Sequence, residues 1–356
     1  MTKEVLSKYL RSAIIFFVCA YGLYLRIASL ATRKLSKDEL FQLSTMTDSF
    51  KKLLENVVQF EFCSYLSGDY YLVYPFFKIF GYNKWGIAIP HMIATVLGFY
   101  LLYIICKRYF KTTWAYIITF TIVCFNATLI YHALEIRTYA VLPTLALACL
   151  YLCLKLVDEN INMSVKKKWA IAALFIAVIW FHVYGILIVL VSALFSLLSK
   201  VKDASFKIIL KYTLKFLFFV FFLAMPLWII SIFGPHCQHI LWPTFIYIPN
   251  PLKDAFGFLK AVFGNLLGHK PLYFLLGGIA LPFIIPDKER FQKITFLMVM
   301  VFIPIGAMLL VDIITEYWFI QRQFIWTIPF FALFLGWSWD AGLIYFKQKI
   351  FRNKHA

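Results

Sequence analysis

The chain has 356 residues, of which 62% are hydrophobic, 20% aromatic and only 15% charged. This composition, with a mean hydropathy of +0.80, excludes an ordinary water-soluble domain. The formal net charge of +18 does not indicate a nucleic-acid partner, because the cations lie between apolar runs and not on one face. The composition therefore predicts a polytopic membrane protein.

Apolar runs separated by basic segments predict about ten membrane-spanning helices in an all-α fold. A helix of about 20 apolar residues is long enough to cross the hydrocarbon core of a bilayer. Every strongly cationic short loop falls on one side of this arrangement, so both termini are predicted to be cytoplasmic. The expected spans are 12–30, 87–106, 114–130, 140–156, two short spans within 169–198, 216–233, 272–285, 294–313 and 324–346.

This topology predicts one transmembrane domain, 1–346, followed by a basic cytoplasmic tail, 347–356. The first outer loop, about 31–86, mixes charged and aromatic residues, which is typical of short helices that lie in the membrane interface. The second outer segment, about 234–271, is rich in proline and suits an irregular interfacial loop.

Most of the seven cysteines lie within apolar runs, where they behave as small hydrophobic residues. Cys63 and Cys237 lie in predicted loops, and the sequence leaves a disulfide between them open. His236, Cys237 and His239 lack helical spacing and a second ligand cluster. They do not predict a metal site, and a divalent cofactor has no support in the sequence.

Two adjacent carboxylates, Asp38 and Glu39, follow the first apolar run where a membrane would end. Acidic residues are costly inside hydrocarbon, so such a pair marks either a place for polar chemistry or a solvated loop. A carboxylate beside guanidinium groups suits a phosphate-bearing substrate, although Glu135 and Arg137 can instead pair with each other or solvate a loop. The other polar residues expected on this outer face include Glu61, Asp69, His182, Lys270, Glu316 and Arg322.

Five segments, in the same order along the chain, resemble motifs of one enzyme family. They are Arg26 with the Asp38-Glu39 pair, Tyr70 to Val73 with Phe80-Gly81, Tyr131 to Tyr139, Phe181 to Gly185, and Arg322 to Phe324 with Pro329. The pattern resembles the GT-C superfamily of membrane glycosyltransferases, of the dolichyl-phosphate-mannose protein mannosyltransferase and aminoarabinose transferase type. Departures occur at Ser67 to Asp69, where the family has a His-Pro-Pro sequence, and at Lys37, where it has an apolar residue.

The resemblance implies a GT-C-like fold and an inverting transfer of sugar from a polyprenyl-phosphate donor to a lipid, glycan or protein acceptor. It implies that Asp38 is the base and that Glu39 and Asp69 are orienting acids. The charge topology places these residues on the outer face, and the short length and many lysines favour a bacterial inner membrane. The residues that the resemblance places around the donor phosphate or the substrate are Arg137, Glu135, His182, Arg322, Lys270 and Tyr139.

Two other classes of function remain open. A secondary transporter would show a repeat relating the two halves of the chain, and no such repeat is visible. A flippase for a lipid-linked sugar, or a structural partner in an envelope-polymer complex, also combines cations with a wide groove. Consumption of a polyprenyl-phosphate sugar without any gradient distinguishes the transferase from these alternatives.

Overall fold

The computed structural model describes residues 3–46, 49–58, 68–159, 163–182, 184–233, 264, 272–285, 287–315 and 321–353. Within these ranges the chain is helical and contains no strand, as the sequence predicts. The helices before the chain's midpoint are α1 (Lys3–Thr32), α2 (Lys37–Thr45), α3 (Phe50–Val58), α4 (Gly68–Phe80), α5 (Lys84–Ile87), α6 (Ile89–Tyr109), α7 (Thr113–Phe125), α8 (Ala127–His132), α9 (Leu142–Glu159) and α10 (Val165–Phe181).

The later helices include the most apolar ones. They are α11 (Gly185–Leu198), α12 (Phe206–Phe233), α13 (Leu272–Ile284), α14 (Arg290–Leu297), α15 (Ile303–Thr315) and α16 (Ile328–Asn353). A single π-helical turn, Met298–Phe302, joins α14 to α15, and 3₁₀ turns lie at Thr138–Ala140 and Gln321–Thr327.

Five helical segments of the described chain are long and apolar enough to cross a membrane, which makes this a multi-pass membrane protein. They are Tyr9–Thr32, Lys84–Tyr109, Phe206–Pro226, Arg290–Leu310 and Phe324–Lys349. The run 169–198 divides into α10 and α11 around a turn at His182, as expected from its length. The count of ten spans stays a prediction.

The first outer loop contains the short helices that its composition predicts. The first of them, α2, begins with a capping box, because the Ser36 hydroxyl accepts a hydrogen bond from the Glu39 amide (3.2 Å) and the Glu39 carboxylate accepts one from the Ser36 amide (2.7 Å). This cap places both acidic residues, Asp38 and Glu39, in the first turn of α2.

The span expected at 114–130 is divided into two helices at Asn126. The Asn126 side chain accepts a hydrogen bond from the Leu129 amide (3.0 Å) and so caps α8. The carbonyl groups of Val123 and Cys124, at the end of α7, accept hydrogen bonds from the buried Arg26 guanidinium at 2.9 and 3.0 Å. Arg26 therefore satisfies backbone groups that the helix break exposes and fixes α1 against α7.

The apolar core surrounds α16, which packs along α7 and is almost completely buried through its first half. At the far end of this contact the Asp340 carboxylate accepts hydrogen bonds from the amides of Lys111 (2.9 Å) and Thr112 (2.7 Å). The loop between α6 and α7 is thereby fixed to α16. This scaffold holds the first turns of α2, the segment before Thr138 and the 3₁₀ turn before α16 at the opposite end of the helices.

Candidate active site

The Asp38 carboxylate lies between two guanidinium groups that come from distant parts of the chain. Its Oδ2 atom is 2.9 Å from Nη2 of Arg322 and 3.9 Å from Nη2 of Arg137. The Asp38 side chain is 43% exposed, whereas those of Arg322 and Arg137 are 29% and 23% exposed. An accessible carboxylate flanked by two partly shielded cations is an arrangement that can hold a phosphate and accept a proton.

The Tyr139 ring packs against the Arg322 guanidinium. The ring lies 5.1 Å from the guanidinium carbon of Arg322, which is close enough for a cation–π interaction. The ring also lies 6.0 Å from that of His182, at the turn between α10 and α11. Because Tyr139 is only 4% exposed, this contact holds the Arg322 guanidinium at the protein surface above a packed aromatic ring.

Glu39, the neighbour of Asp38, is buried, and each oxygen of its carboxylate accepts two hydrogen bonds. It receives hydrogen bonds from both Nη atoms of Arg33 (2.7 and 2.8 Å), from the Ser36 amide (2.7 Å) and from the Ile136 amide (2.9 Å). Burial alone raises the pKa of Glu39, but the hydrogen bonds from Arg33 and the two amides outweigh it and lower the pKa. The ionised Glu39 thus anchors α2 to the segment that carries Arg137.

Asp69 is completely buried, and both oxygen atoms of its carboxylate have hydrogen-bond partners other than Asp38. Its Oδ2 atom accepts a hydrogen bond from Nε2 of Gln42 (2.6 Å), and its Oδ1 atom lies 2.8 Å from Nε2 of His91. These bonds tie α4 to α2 and α6. Gln42 is four residues after Asp38 on the same face of α2, so Asp69 contacts the helix that carries Asp38.

Glu135 and His182 lie behind the exposed group and contact other protein groups. Glu135 is 4% exposed, and its Oε2 atom lies 2.5 Å from Nδ1 of His132. The Nδ1 atom of His182 accepts a hydrogen bond from the Tyr184 amide (3.1 Å). Burial, and then the charge of Arg137, lower the pKa of His182 to about 3, so its imidazole is neutral at physiological pH.

The residues that the sequence does not single out are Arg33, Gln42, Lys84 and His91. Lys84 donates from its ammonium group to the carbonyls of Leu30 (2.9 Å), Ala31 (3.1 Å) and Arg33 (3.2 Å), and so fixes the end of α1 from which Arg33 reaches Glu39. The only sequence feature that marks such a residue is a cation or a histidine within an apolar or aromatic stretch, and this feature does not identify the group that the residue contacts.

Several residues considered in the sequence analysis lie outside the described ranges. They are Glu61, Cys63, His236, Cys237, His239, Lys270 and Glu316.

A narrow cavity of about 40 Å³ lies behind Tyr139, between α1, α6, α7 and α9. It has room for a few water molecules but not for a sugar, so a substrate would approach Asp38 from the exposed side. Within the described ranges, no three His, Cys, Asp or Glu side chains converge to form a metal-binding group.

Comparisons with known proteins confirm the fold and the family resemblance. Residues 69–230 match the family model for dolichyl-phosphate-mannose-protein mannosyltransferases. The fold matches that of ArnT from Cupriavidus metallidurans in the apo state, with a TM-score of 0.60, 15% identity and coverage of 92% of this chain and 59% of that one. The structure of the same ArnT bound to undecaprenyl phosphate matches with a TM-score of 0.59, 16% identity and coverage of 91% and 59%.

The chain thus spans about three-fifths of the length of the ArnT chains that it matches. No curated protein sequence matches it. The all-helical GT-C-like fold predicted from the five sequence segments is the fold of this molecule.

Proposed function

We propose that the protein is an inverting glycosyltransferase that moves a sugar from a polyprenyl-phosphate donor to a hydroxyl group of a lipid, glycan or protein acceptor. The observation that carries this proposal is the accessible Asp38 carboxylate between the guanidinium groups of Arg322 and Arg137. Two comparisons support a donor in which the sugar is attached to a lipid phosphate. They are the ArnT structure with bound undecaprenyl phosphate and the family model matched by residues 69–230.

In this mechanism Asp38 is the general base. It accepts the proton of the acceptor hydroxyl while that oxygen forms a bond with the anomeric carbon of the sugar. The bond between the anomeric carbon and the donor's phosphate oxygen breaks, and the phosphate leaves with the electron pair. Because attack comes from the side opposite the phosphate, the anomeric configuration is inverted.

Arg322 and Arg137 stabilise the negative charge that grows on the departing phosphate. Arg322 suits this role because a guanidinium offers two parallel N–H donors to phosphate oxygens, and the Tyr139 ring holds it in place. In the structure one of its Nη atoms is bonded to Asp38. A donor phosphate competes with Asp38 for this guanidinium, so donor binding frees the carboxylate to accept a proton. The proposal therefore requires that the donor bind before the acceptor.

The two other members of the predicted catalytic set have supporting roles in this proposal. The Glu39 carboxylate accepts four hydrogen bonds from protein groups. The buried Asp69 carboxylate is hydrogen-bonded to Gln42 and His91. Both carboxylates hold α2, and with it Asp38, in position. We place the reaction on the outer face of a bacterial inner membrane, because the strongly basic loops fall on the other side.

The decisive experiment measures release of free polyprenyl phosphate from a lipid-linked sugar by purified protein in nanodiscs, without any gradient. Lipid extracts that contain polyprenyl-phosphate sugars are the substrate, and mass spectrometry is the readout. Asp38→Asn keeps the shape of the side chain but removes the proton acceptor, so the rate should fall by about 100-fold or more. The matched control is Asp203→Asn, which removes an exposed carboxylate between α11 and α12.

Wild type and Asp203→Asn should release polyprenyl phosphate at the same rate. Full activity of well-folded Asp38→Asn protein would transfer the role of base to another carboxylate. Absence of any release by wild-type protein, combined with gradient-dependent movement of the lipid-linked sugar, would favour the transporter or flippase alternative.

A further inference from the structure

A polar cavity lies at the end of the helices opposite to Asp38. Helix α6 runs about 25 Å from His91, which contacts Asp69, to Lys107 and Arg108, which line this cavity. The cavity has a volume of about 430 Å³. Its remaining walls come from the loop after α6, the end of α11, the beginning of α14 and the middle of α16, through Tyr109, Phe110, Lys111, Ser199, Lys200, Glu289, Gln292 and Trp337.

The cavity contains more cations than its carboxylates can neutralise. Arg108 binds Asp158 through both Nη atoms, at 2.5 and 3.2 Å, and Lys200 lies 3.2 Å from the same carboxylate. Lys111 lies 3.5 Å from Glu289. Lys107 has no carboxylate within ion-pairing distance in the described part of the chain. Two carboxylates thus face four cations in a concave surface, which concentrates positive potential.

The walls of the cavity are fixed by bonds between different helices. The Trp337 indole donates to Glu289 (2.9 Å), which joins α16 to the beginning of α14. The Gln292 amide donates to the Ser199 carbonyl (3.3 Å), which joins α14 to the end of α11. The cavity is therefore built from preorganised groups, and an anion that binds in it would connect α6, α11 and α14.

We propose that this cavity binds the phosphate group of an anionic phospholipid from the membrane leaflet opposite to Asp38. Lys and Arg side chains form charge-assisted hydrogen bonds with phosphate oxygens, and basic pockets between membrane helices suit lipid head groups. The cavity lies where α6 and α11 end and α14 begins, at the basic end of the helices, and basic loops of membrane proteins lie beside anionic lipid head groups. Trp337 and Tyr109 line it, and such aromatic side chains favour the membrane interface.

The test compares the full-length protein in nanodiscs of phosphatidylcholine alone and with added phosphatidylglycerol. Native mass spectrometry after release from the nanodisc counts the lipids that remain bound. The variant carries Lys107→Gln and Lys111→Gln together. The matched control carries Lys166→Gln and Lys167→Gln, which remove two exposed cations at the beginning of α10, on the same end of the molecule.

Wild type and control should retain one phosphatidylglycerol molecule, and the cavity variant should retain it about 30-fold less, because each cation near a head group contributes about 1 kcal/mol. Thermal unfolding in phosphatidylcholine nanodiscs should be the same for all three proteins, which shows that the variants fold. Equal retention by the cavity variant and the control would overturn the proposal, since the lipid would then respond to total charge.

A further arm distinguishes a lipid from a soluble phosphate ester. Glycerol 3-phosphate is added to protein in phosphatidylcholine nanodiscs. If the ester binds wild type with the same affinity as phosphatidylglycerol, the lipid assignment is wrong. Weak binding of the ester beside tight retention of phosphatidylglycerol supports it. Neither readout depends on transferase activity, so this proposal stands or falls separately from the proposed function.

Discussion

Asp38 and Glu39 are adjacent, yet their carboxylates lie in opposite environments. Successive residues of a helix point about 100° apart around its axis, so one side chain of the first turn of α2 faces outward while the next faces the protein. Asp38 is 43% exposed and contacts two cations across the site, whereas Glu39 is completely buried. The environment of each carboxylate, and not its place in a sequence motif, is the reason why we propose Asp38 and not Glu39 as the base.

The Glu39 carboxylate should therefore be essential for stability. Glu39→Gln leaves the Arg33 guanidinium facing an amide, and breaking a buried ion pair costs about 3 kcal/mol or more. The control is Glu55→Gln, because the Glu55 side chain is 43% exposed and lies 3.7 Å from Lys51, a surface pair worth less than about 1 kcal/mol. The midpoint of thermal unfolding measures both variants. An unchanged midpoint for Glu39→Gln would contradict the anchoring role.

Arg322 tests the binding of the donor phosphate. A guanidinium that binds phosphate with two parallel N–H groups cannot be replaced by an ammonium, whereas a cation that contacts lipid phosphates at the membrane surface can. We expect Arg322→Lys to resemble Arg322→Ala, with a loss of about ten- to a hundredfold in donor affinity or rate. Steady-state transfer as a function of donor concentration measures this. If the lysine variant equals wild type in both parameters, Arg322 is a membrane contact and the phosphate ligand must be Arg137 or Lys270.

The polar residues of the site differ in how well a sequence predicts them. The motif resemblance and the charge topology place Asp38, Arg137 and Arg322 on one face, and the structure brings these three together. The partners of the buried acids, Gln42 and His91, depend on how α2, α4 and α6 pack. A glutamine in an amphipathic helix and a histidine in an apolar run have no local feature that identifies such a partner.

Helices α7 and α16 lie close together at Gly336. A Cβ atom added to Gly336 would lie 2.8 Å from the Ala115 carbonyl oxygen and would overlap the Thr119 hydroxyl. That hydroxyl donates to the Ala332 carbonyl (3.2 Å), so a small residue at 336 permits both close packing and a hydrogen bond between helices. Small residues have this role in membrane proteins, because burial in lipid provides little driving force for helix association.

Gly336→Ala should consequently destabilise the protein by about 1 to 3 kcal/mol, the usual cost of overpacking. Gly306→Ala is the matched control, because Gly306 also lies in an apolar helix and nothing lies within 4 Å of its added Cβ atom. Thermal unfolding in one detergent compares the two variants. The control should be neutral or slightly stabilised, as alanine favours a helix more than glycine. Equal midpoints would show that α7 and α16 are not closely packed at this position.

The break between α7 and α8 shows where helix prediction from apolar runs fails. Apolar residues continue on both sides of Asn126, so the composition of 114–130 resembles one uninterrupted span. The break is stabilised from outside this run, since Arg26 of α1 binds the carbonyl groups of Val123 and Cys124. A partner about 100 residues away cannot be inferred from local composition, whereas the turn at His182 follows from length alone.

The whole molecule has two polar ends separated by apolar helices. One end contains Asp38, Arg137 and Arg322, and the other contains the basic cavity around Lys107 and Arg108. The long span Lys84–Tyr109 connects these ends. The excess of cations at the second end is the asymmetry that orients membrane proteins, because cationic loops are retained in the cytoplasm. The candidate active site is therefore expected to face outward.

Cysteine labelling on intact cells tests this orientation. In a variant without the seven native cysteines, Lys37→Cys introduces a thiol beside Asp38, and Lys288→Cys introduces one before α14 at the other end. Both positions are exposed, whereas Thr138, also expected outside, is 7% exposed and would label poorly at either orientation. A membrane-impermeant maleimide should modify the first variant in intact cells and the second only after permeabilisation. Labelling in the reverse order would place Asp38 in the cytoplasm, where the reaction proposed for the outer face could not occur.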